Sequence, residues 1–308
     1  MKFHHVAAIS FLVALLSPSM LTAQTAQQEA AAIYELSGVK GGFVVHLGCG
    51  DGTLTTALRS GEQFQVHGLA LAEDQLETAR SSIKEQGVYG PVAVDMLHST
   101  RLPYIDNLVN LLVIDGASDI PQEEILRVLT PNGVALTRAG ESWKKQVKPR
   151  PDNIDDWTHF LHDASGNSVA HDDVVGPPRH MQWLGSPRWS RHHDRMASMS
   201  ALVSSNGRIF YIMDEGSRVS IQLPAKWALI ARDAFNGTVL WKRKIDSWQN
   251  HLFPLKSGPT QLARRLVADG DRIFVTLGLE APLLCLDAAS GETIRTYPES
   301  KTTEEAIY

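Results

Sequence analysis

Cysteine is nearly absent: the 308-residue chain holds two, Cys49 and Cys285. They are far apart and show no CxxC spacing, so a zinc ribbon and a haem-attachment site are excluded. A surplus of positive charge is also missing. The formal net charge is −5, which gives no electrostatic footprint for nucleic acid. Long hydrophobic runs are missing too. The longest, Val6–Leu16, is too short for a bilayer core, which needs ~20 apolar residues. No other segment reads as a membrane span. What remains is a globular composition, 43% hydrophobic and 20% charged, at a length that suggests about two domains.

The short apolar run has a place in a larger pattern. Lys2 precedes it, Ser17-Pro18 breaks it, and Leu21-Thr22-Ala23 ends in a small residue. This is the three-part plan of a secretory signal over residues 1–23, with cleavage expected after Ala23 and a secreted or periplasmic destination.

From Phe43 to Arg138 strand and helix patterns alternate. Phe43–Cys49, Gln65–Leu71, Pro91–Met96, Leu108–Asp115 and Val134–Thr137 are short apolar runs. Ala72–Gln86 places Leu76, Ala79 and Ile83 at helical spacing behind Glu73 and Asp74, with Gly87 as its stop. Pro121–Leu129 opens on a proline and ends before the turn signal Pro131-Asn132-Gly133. Such alternation predicts a parallel sheet with helices on both faces. The first strand runs into Gly48-Cys49-Gly50-Asp51-Gly52. Glycines there permit a tight turn and close approach of a ligand to the backbone. The spacing is GxGxG rather than the GxGxxG of nicotinamide binders.

These residues resemble the class I S-adenosylmethionine-dependent methyltransferases over about Ile33 to Arg138. Gly48–Gly52 matches the first motif. His67–Leu71 with Leu76, Ala79 and Arg80 matches the second strand and helix. Val94-Asp95 and Leu102–Tyr104 match the adenine-side loop, and Leu129–Gly133 the turn into strand five. The resemblance implies a Rossmann-like domain over residues 24–140, with S-adenosylmethionine contacted by Gly48, Cys49, Gly50, Gly52, Asp95 and Asp115. Two departures stand against it. His46 occupies the place of the acid near the methionine amino group. Ala70 occupies the place of the carboxylate that takes the ribose hydroxyls. A charge-assisted carboxylate–diol contact contributes about 1.5–3 kcal/mol, so its loss weakens binding roughly 10- to 100-fold. The family's sixth and seventh strands also read as missing. S-adenosylmethionine is made in the cytosol, where an exported protein does not reside. The expectation is a domain that keeps the fold and has lost methyl transfer. No catalytic residue is assigned, and no cofactor is assured.

Residues 141–197 read as a linker, solvated from Glu141 to Asp156, followed by an entry segment crowded with His, Trp and Asp. His159, His162 and Asp163 are its candidate metal ligands. The alternative is that this segment packs against the next domain.

After Ser198 the pattern becomes strands and turns: Arg208–Met213, Ala228–Arg232, Val239–Arg243, Arg272–Leu277 and Leu283–Leu286. Leu229–Gly237 aligns with Leu283–Gly291 at an offset of 287 − 233 = 54, and Phe210 with Phe274 at 274 − 210 = 64. The first repeat therefore carries ten more residues, around Ser217–Lys226. A period near 50 predicts propeller blades. Asp233-Ala234, Gly237 and Trp241 resemble the pyrroloquinoline-quinone-like propeller repeat. Asp287, Ala288 and Gly291 do as well, with Arg295 where the repeat has Trp. The resemblance implies a packing role for Trp241 and does not by itself imply pyrroloquinoline quinone. Residues 198–308 hold about two blades where a closed ring needs four to eight, so a piece of a longer protein is expected.

The fold expected is thus an α/β Rossmann-like methyltransferase domain followed by an all-β partial propeller. The function expected is binding: of a protein, glycan or small-molecule ligand through the propeller face. The alternatives are an active methyltransferase and a quinone-dependent oxidoreductase.

Overall fold

The computed structural model describes residues 18–116, 119–177, 180–187, 191, 198–220, 222–249 and 260–308. The apolar run Val6–Leu16 lies outside them, as do Trp189 and His192-His193-Asp194.

A six-stranded sheet organises the N-terminal part, in the order β3-β2-β1-β4-β5-β6. Its first five strands are β1 (Gly42–Leu47), β2 (Phe64–Ala70), β3 (Val92–Met96), β4 (Val109–Ile114) and β5 (Leu129–Ala139). These pair in parallel. Strands buried on both faces read as continuous apolar runs, which is why the central β1 and β4 were legible. Helices cover both faces. On one, α1 (Pro18–Ser37), α2 (Thr53–Ala57) and α3 (Glu73–Glu85) pack Ile33, Leu58, Leu76, Ala79 and Ile83 onto Val44, Val66, Leu111 and Val113. On the other, α4 (Gln122–Val128) brings Val128 onto Val45, Leu47 and Leu112. Among the described residues no helix is long and apolar enough to cross a membrane.

Two expectations need correction. Glu141–Asp156 is not all solvated linker: β6 (Ser142–Val147) pairs antiparallel with β5, from Val134↔Val147 to Ala139↔Ser142. One antiparallel strand beyond the fifth is therefore present, where both extra strands read as missing. Its lysines hid it. An edge strand tolerates charge, and lysine there discourages pairing with another chain. Pro131-Asn132-Gly133 is likewise no free turn. It lies inside β5, where the register against β4 shifts between Val109 and Leu111 and Asn132 takes a left-handed φ of 63°, as a bulge requires.

The C-terminal part contains two four-stranded antiparallel sheets. The first comprises β7 (Met199–Ser205), β8 (Arg208–Asp214), β9 (Trp227–Asp233) and β10 (Val239–Lys244). The second follows a 3-10 helix (Thr260–Arg265) and comprises β11 (Leu266–Asp269), β12 (Arg272–Thr276), β13 (Leu283–Asp287) and β14 (Thr293–Tyr297). The sheets pack face to face through Phe210, Ile212 and Leu229 of the first and Leu266, Ile273 and Leu286 of the second. The entry segment is stitched into both: Ser204 N donates to Trp157 O at 2.7 Å, and Ala268 N to Thr158 O at 3.0 Å.

A joint recurs between successive units. Trp241, on the last strand of the first sheet, donates from Nε1 to Ala288 O at 3.0 Å. Its ring lies over Gly291, where an added Cβ would come within 2.6 Å. Trp183 does the same to the first sheet: Nε1 donates to Ala234 O at 2.9 Å, and a Cβ on Gly237 would meet its ring at 2.3 Å. Glycine is required in both turns because a tryptophan occupies the space.

Candidate functional site

The glycine loop leaves the C-terminal end of β1. Gly48 N and Cys49 N both donate to Leu69 O, at 2.9 and 3.2 Å, which ties the loop to β2. Gly48 has φ +81° and no room for a side chain, since a Cβ would lie 1.8 Å from Asp115 O. Gly50 has φ +53° and open space above it, and Gly52 packs on Ala79. Cys49 is buried and a free thiol, its pKa pushed up to about 11, chiefly by burial. The helix that follows, α2, has only five residues.

The other candidate positions fall around this loop, at the C-terminal edge of the sheet. Asp95 lies at the end of β3 with a side chain 64% exposed; it pairs with Arg80 Nη2 at 3.2 Å. Ala70 ends β2 with no exposed surface. Glu73 and Asp74 are in the first turn of α3, exposed. His46 is buried in β1, its Nδ1 sharing a hydrogen bond of 2.8 Å with Thr55 Oγ1. Its Nε2 has no partner. Burial lowers its pKa from 6.5 to about 4; Asp115 pulls it up and Arg138 presses it down.

Asp115 is paired inside the protein. Arg138, at the end of β5, grips it with both ends of a fork: Nε to Oδ1 at 2.5 Å and Nη2 to Oδ2 at 2.8 Å. The same Nη2 donates to Glu29 Oε1 of α1. The hydrogen bond to Asp115 leads the causes that hold the Arg138 pKa above its ordinary value. Trp143, opposite Arg138 across the β5–β6 pair, places its ring 4.2 Å beneath the guanidinium. Neither Arg138, Glu29 nor Trp143 was singled out in the sequence. Glu29 and Arg138 are 109 positions apart, and no local spacing announces their pairing.

The edge of the sheet therefore offers S-adenosylmethionine a mixed fit. The open backbone over Gly50 and the carboxylate of Asp95 suit an adenosyl group. The buried methyl of Ala70 gives the ribose no acceptor, and the carboxylate at β4 already holds a cation.

The candidate metal ligands serve other partners. His159 shares a 2.7 Å hydrogen bond between Nδ1 and Thr158 Oγ1, and its Nε2 accepts from Tyr308 N at 3.3 Å. His162 Nε2 meets Asp155 Oδ2 at 2.7 Å. Asp163 accepts from Ser165 N and Oγ at 2.8 and 2.5 Å. Among the described residues no group of three or more His, Cys, Asp or Glu is arranged to hold a metal ion.

Comparison with known proteins finds a family likeness over the first sheet. Residues 44–133 match the family model of a methyltransferase domain. A curated relative, the methyltransferase GfsG of Streptomyces halstedii, is 28% identical over 118 residues, covering 36% of this chain and 42% of that protein. The chain thus spans less than half the length of the relative it matches. Among solved structures, the YcgJ protein of Bacillus subtilis aligns at 22% identity over 36% of this chain and 49% of that one, with a TM-score of 0.32. Geranyl diphosphate C-methyltransferase of Streptomyces coelicolor aligns at 18% identity over 36% and 44%, with a TM-score of 0.33. The N-terminal sheet and its helices carry the Rossmann-like fold of a methyltransferase domain.

Proposed function

We propose that the N-terminal domain keeps this fold without transferring methyl groups, and that the exported chain acts as a binding module. The observation that carries the reading is the seating of Arg138 between Asp115 and Glu29. It commits the one carboxylate at the end of β4 to an internal cation. Ala70 supports the same reading, because a hydroxyl pair brought to its place would lose its water without gaining an acceptor.

The two sheets are read as consecutive blades of a quinone-repeat propeller. The equivalence of the Trp183 and Trp241 joints supports this, since each tryptophan meets the Asp-Ala-x-x-Gly turn of the following unit. The propeller face would then meet a protein, glycan or small-molecule partner.

Calorimetric titration of the purified chain with S-adenosylmethionine tests the proposal. A dissociation constant weaker than about 1 mM is expected, less than about 4 kcal/mol of binding. Micromolar binding would overturn it.

An active methyltransferase is the second reading. The space over Gly50 and the exposed Asp95 favour it. It requires transfer of a labelled methyl group that Gly50→Arg abolishes, and fractionation of an expressing cell would then place the protein in the cytosol.

A further inference from the structure

Residues 181–186 form no strand, yet they copy the outer strand of the first sheet. In β10, Trp241 and Arg243 are half-buried, and Lys242 and Lys244 are exposed. In the entry segment Trp183 and Gly185 are half-buried, and Leu184 and Ser186 are exposed. A period of two is that of extended backbone lying on a surface. The partners match as the exposures do. Trp241 meets the turn of the second sheet and Trp183 the same turn of the first, each ring over a glycine. Two residues beyond Trp241, Arg243 Nη1 donates to Gly291 O at 2.6 Å. At the equivalent carbonyl, Gly237 O, the donor is Arg232 Nη1 at 2.7 Å. This guanidinium fills the space over Gly185, where a Cβ would lie 3.2 Å from its Cζ, and its Nη2 holds Ser186 O.

One difference separates the two segments. β10 is paired along one edge with β9, Trp241 opposite Ala231 and Lys242 opposite Ile230. The backbone N–H and C=O groups of residues 181–185 have no hydrogen-bond partner among the described residues. Met181 and Leu184 are apolar and still 78% and 82% exposed. Extended backbone with an unpaired edge is a template for another strand.

We propose that residues 181–186 are the outer strand of a further sheet, and that their free edge takes the third strand of another unit of the same repeat, as β10 takes β9. The occupant is an antiparallel β-strand with the sequence character of β9 and β13, and it sets a small residue opposite Trp183 as Ala231 stands opposite Trp241. Main-chain hydrogen bonds supply the affinity. The Trp183 joint holds the segment extended before the strand arrives, which lowers the cost of ordering it. This inference rests on the reading of the two sheets as successive units of one repeat.

The test is hydrogen–deuterium exchange of the full chain, with and without a synthetic peptide of the β9 sequence, Lys226–Asp233. The amides of residues 182–185 are expected to exchange freely in the chain alone and to slow about tenfold once about nine-tenths of the chain is bound. A scrambled peptide of the same composition should leave them unchanged. Trp183→Ala releases the segment and should abolish the slowing, while unchanged exchange in β8 and β9 shows that the sheet still folds. The proposal is overturned if the amides do not slow in the native chain, if the scrambled peptide slows them equally, or if the slowing falls on the edge strand β14 instead. Full slowing retained in a folded Trp183→Ala variant overturns it too. The double-mutant cycle of Trp183 and Gly237 tests the repeat reading without the peptide. An interaction energy in that cycle with no protection by the peptide sinks the strand site alone, whereas an additive cycle sinks the repeat reading.

Discussion

Gly48 and Gly50 share a left-handed backbone and differ in everything else. At Gly48 a Cβ would be driven to 1.8 Å from Asp115 O, whereas at Gly50 it would meet nothing within 4 Å. Gly50→Ala should therefore cost only the conformational strain, about 1–2 kcal/mol. Gly48→Ala must also push β1 and β4 apart, and should cost about 4 kcal/mol or more, the range of disrupted cores. Urea denaturation of the two variants measures the difference. A ligand lying over the loop would be felt at Gly50 without this structural damage. His46 makes a second residue-scale prediction. Its folded pKa, about 4, lies below the unfolded value of 6.5. The unfolded chain therefore binds the extra proton, and stability falls as pH drops from about 6.5 to 4. The loss reaches about 3 kcal/mol at the acid end. Burial also lowers the pKa of His67 and His159, which add to the slope with the same sign. The difference between native protein and His46→Gln isolates the part due to His46; equal slopes between pH 6.5 and 4 would refute the assignment.

Elements were legible where their environment was uniform. The central strands β1 and β4 are buried on both faces and announced themselves as apolar runs, as did the valine-rich stretches of their parallel neighbours, and α3 showed its periodicity. The strands missed were β6, β7, β11 and β14. β6 and β14 are largely exposed edges, whose residues answer to water rather than to a core. β11 has only four residues, too few for a pattern. The glycine loop could be found because its constraint is local. The Arg138 cluster could not, because it joins α1, β4, β5 and β6. The tryptophan joints lie between these cases: Trp241 was visible as part of a repeat, and Trp183 was not, having no described strand around it. The joints can be tested as elements. Gly237→Ala should destabilise by about 2–4 kcal/mol, since it combines a left-handed backbone with overpacking. Its cost should fall by 1 kcal/mol or more in a Trp183→Ala background, an interaction energy expected of residues in contact. Gly291→Ala with Trp241→Ala should behave in the same way. A purely additive cycle in either pair would show that the ring does not determine the glycine.

At the scale of the molecule the two halves meet through one of these turns. Asp233 caps its own turn, accepting from Phe235 N at 2.8 Å and Asn236 N at 3.0 Å. It also accepts from Asn110 Nδ2 of β4 at 2.7 Å. Asn236 Nδ2 reaches back to Asn110 Oδ1 at 2.6 Å and Leu108 O at 3.0 Å. These contacts lie at the N-terminal edge of the parallel sheet, the end opposite the glycine loop, so the first antiparallel sheet docks without covering the candidate site. Asp287 provides an internal control. It caps the equivalent turn of the second sheet, accepting from Ala289 N at 3.0 Å and Ser290 N at 2.8 Å, and has no such partner in β4. Removing either carboxylate should cost about 1 kcal/mol for the cap. Asp233→Ala should cost a further ~1 kcal/mol or more, because it also takes the acceptor from the half-buried Asn110 Nδ2. The extra loss belongs to the union of the halves, so it should appear as a weakened coupling: the unfolding of the α/β domain should separate from that of the β-sheets in calorimetry. Asp287→Ala should lower the stability of the second sheet and leave the two halves melting together. If both variants gave the same single transition at the same temperature, the amide–carboxylate contact would not be what joins the halves.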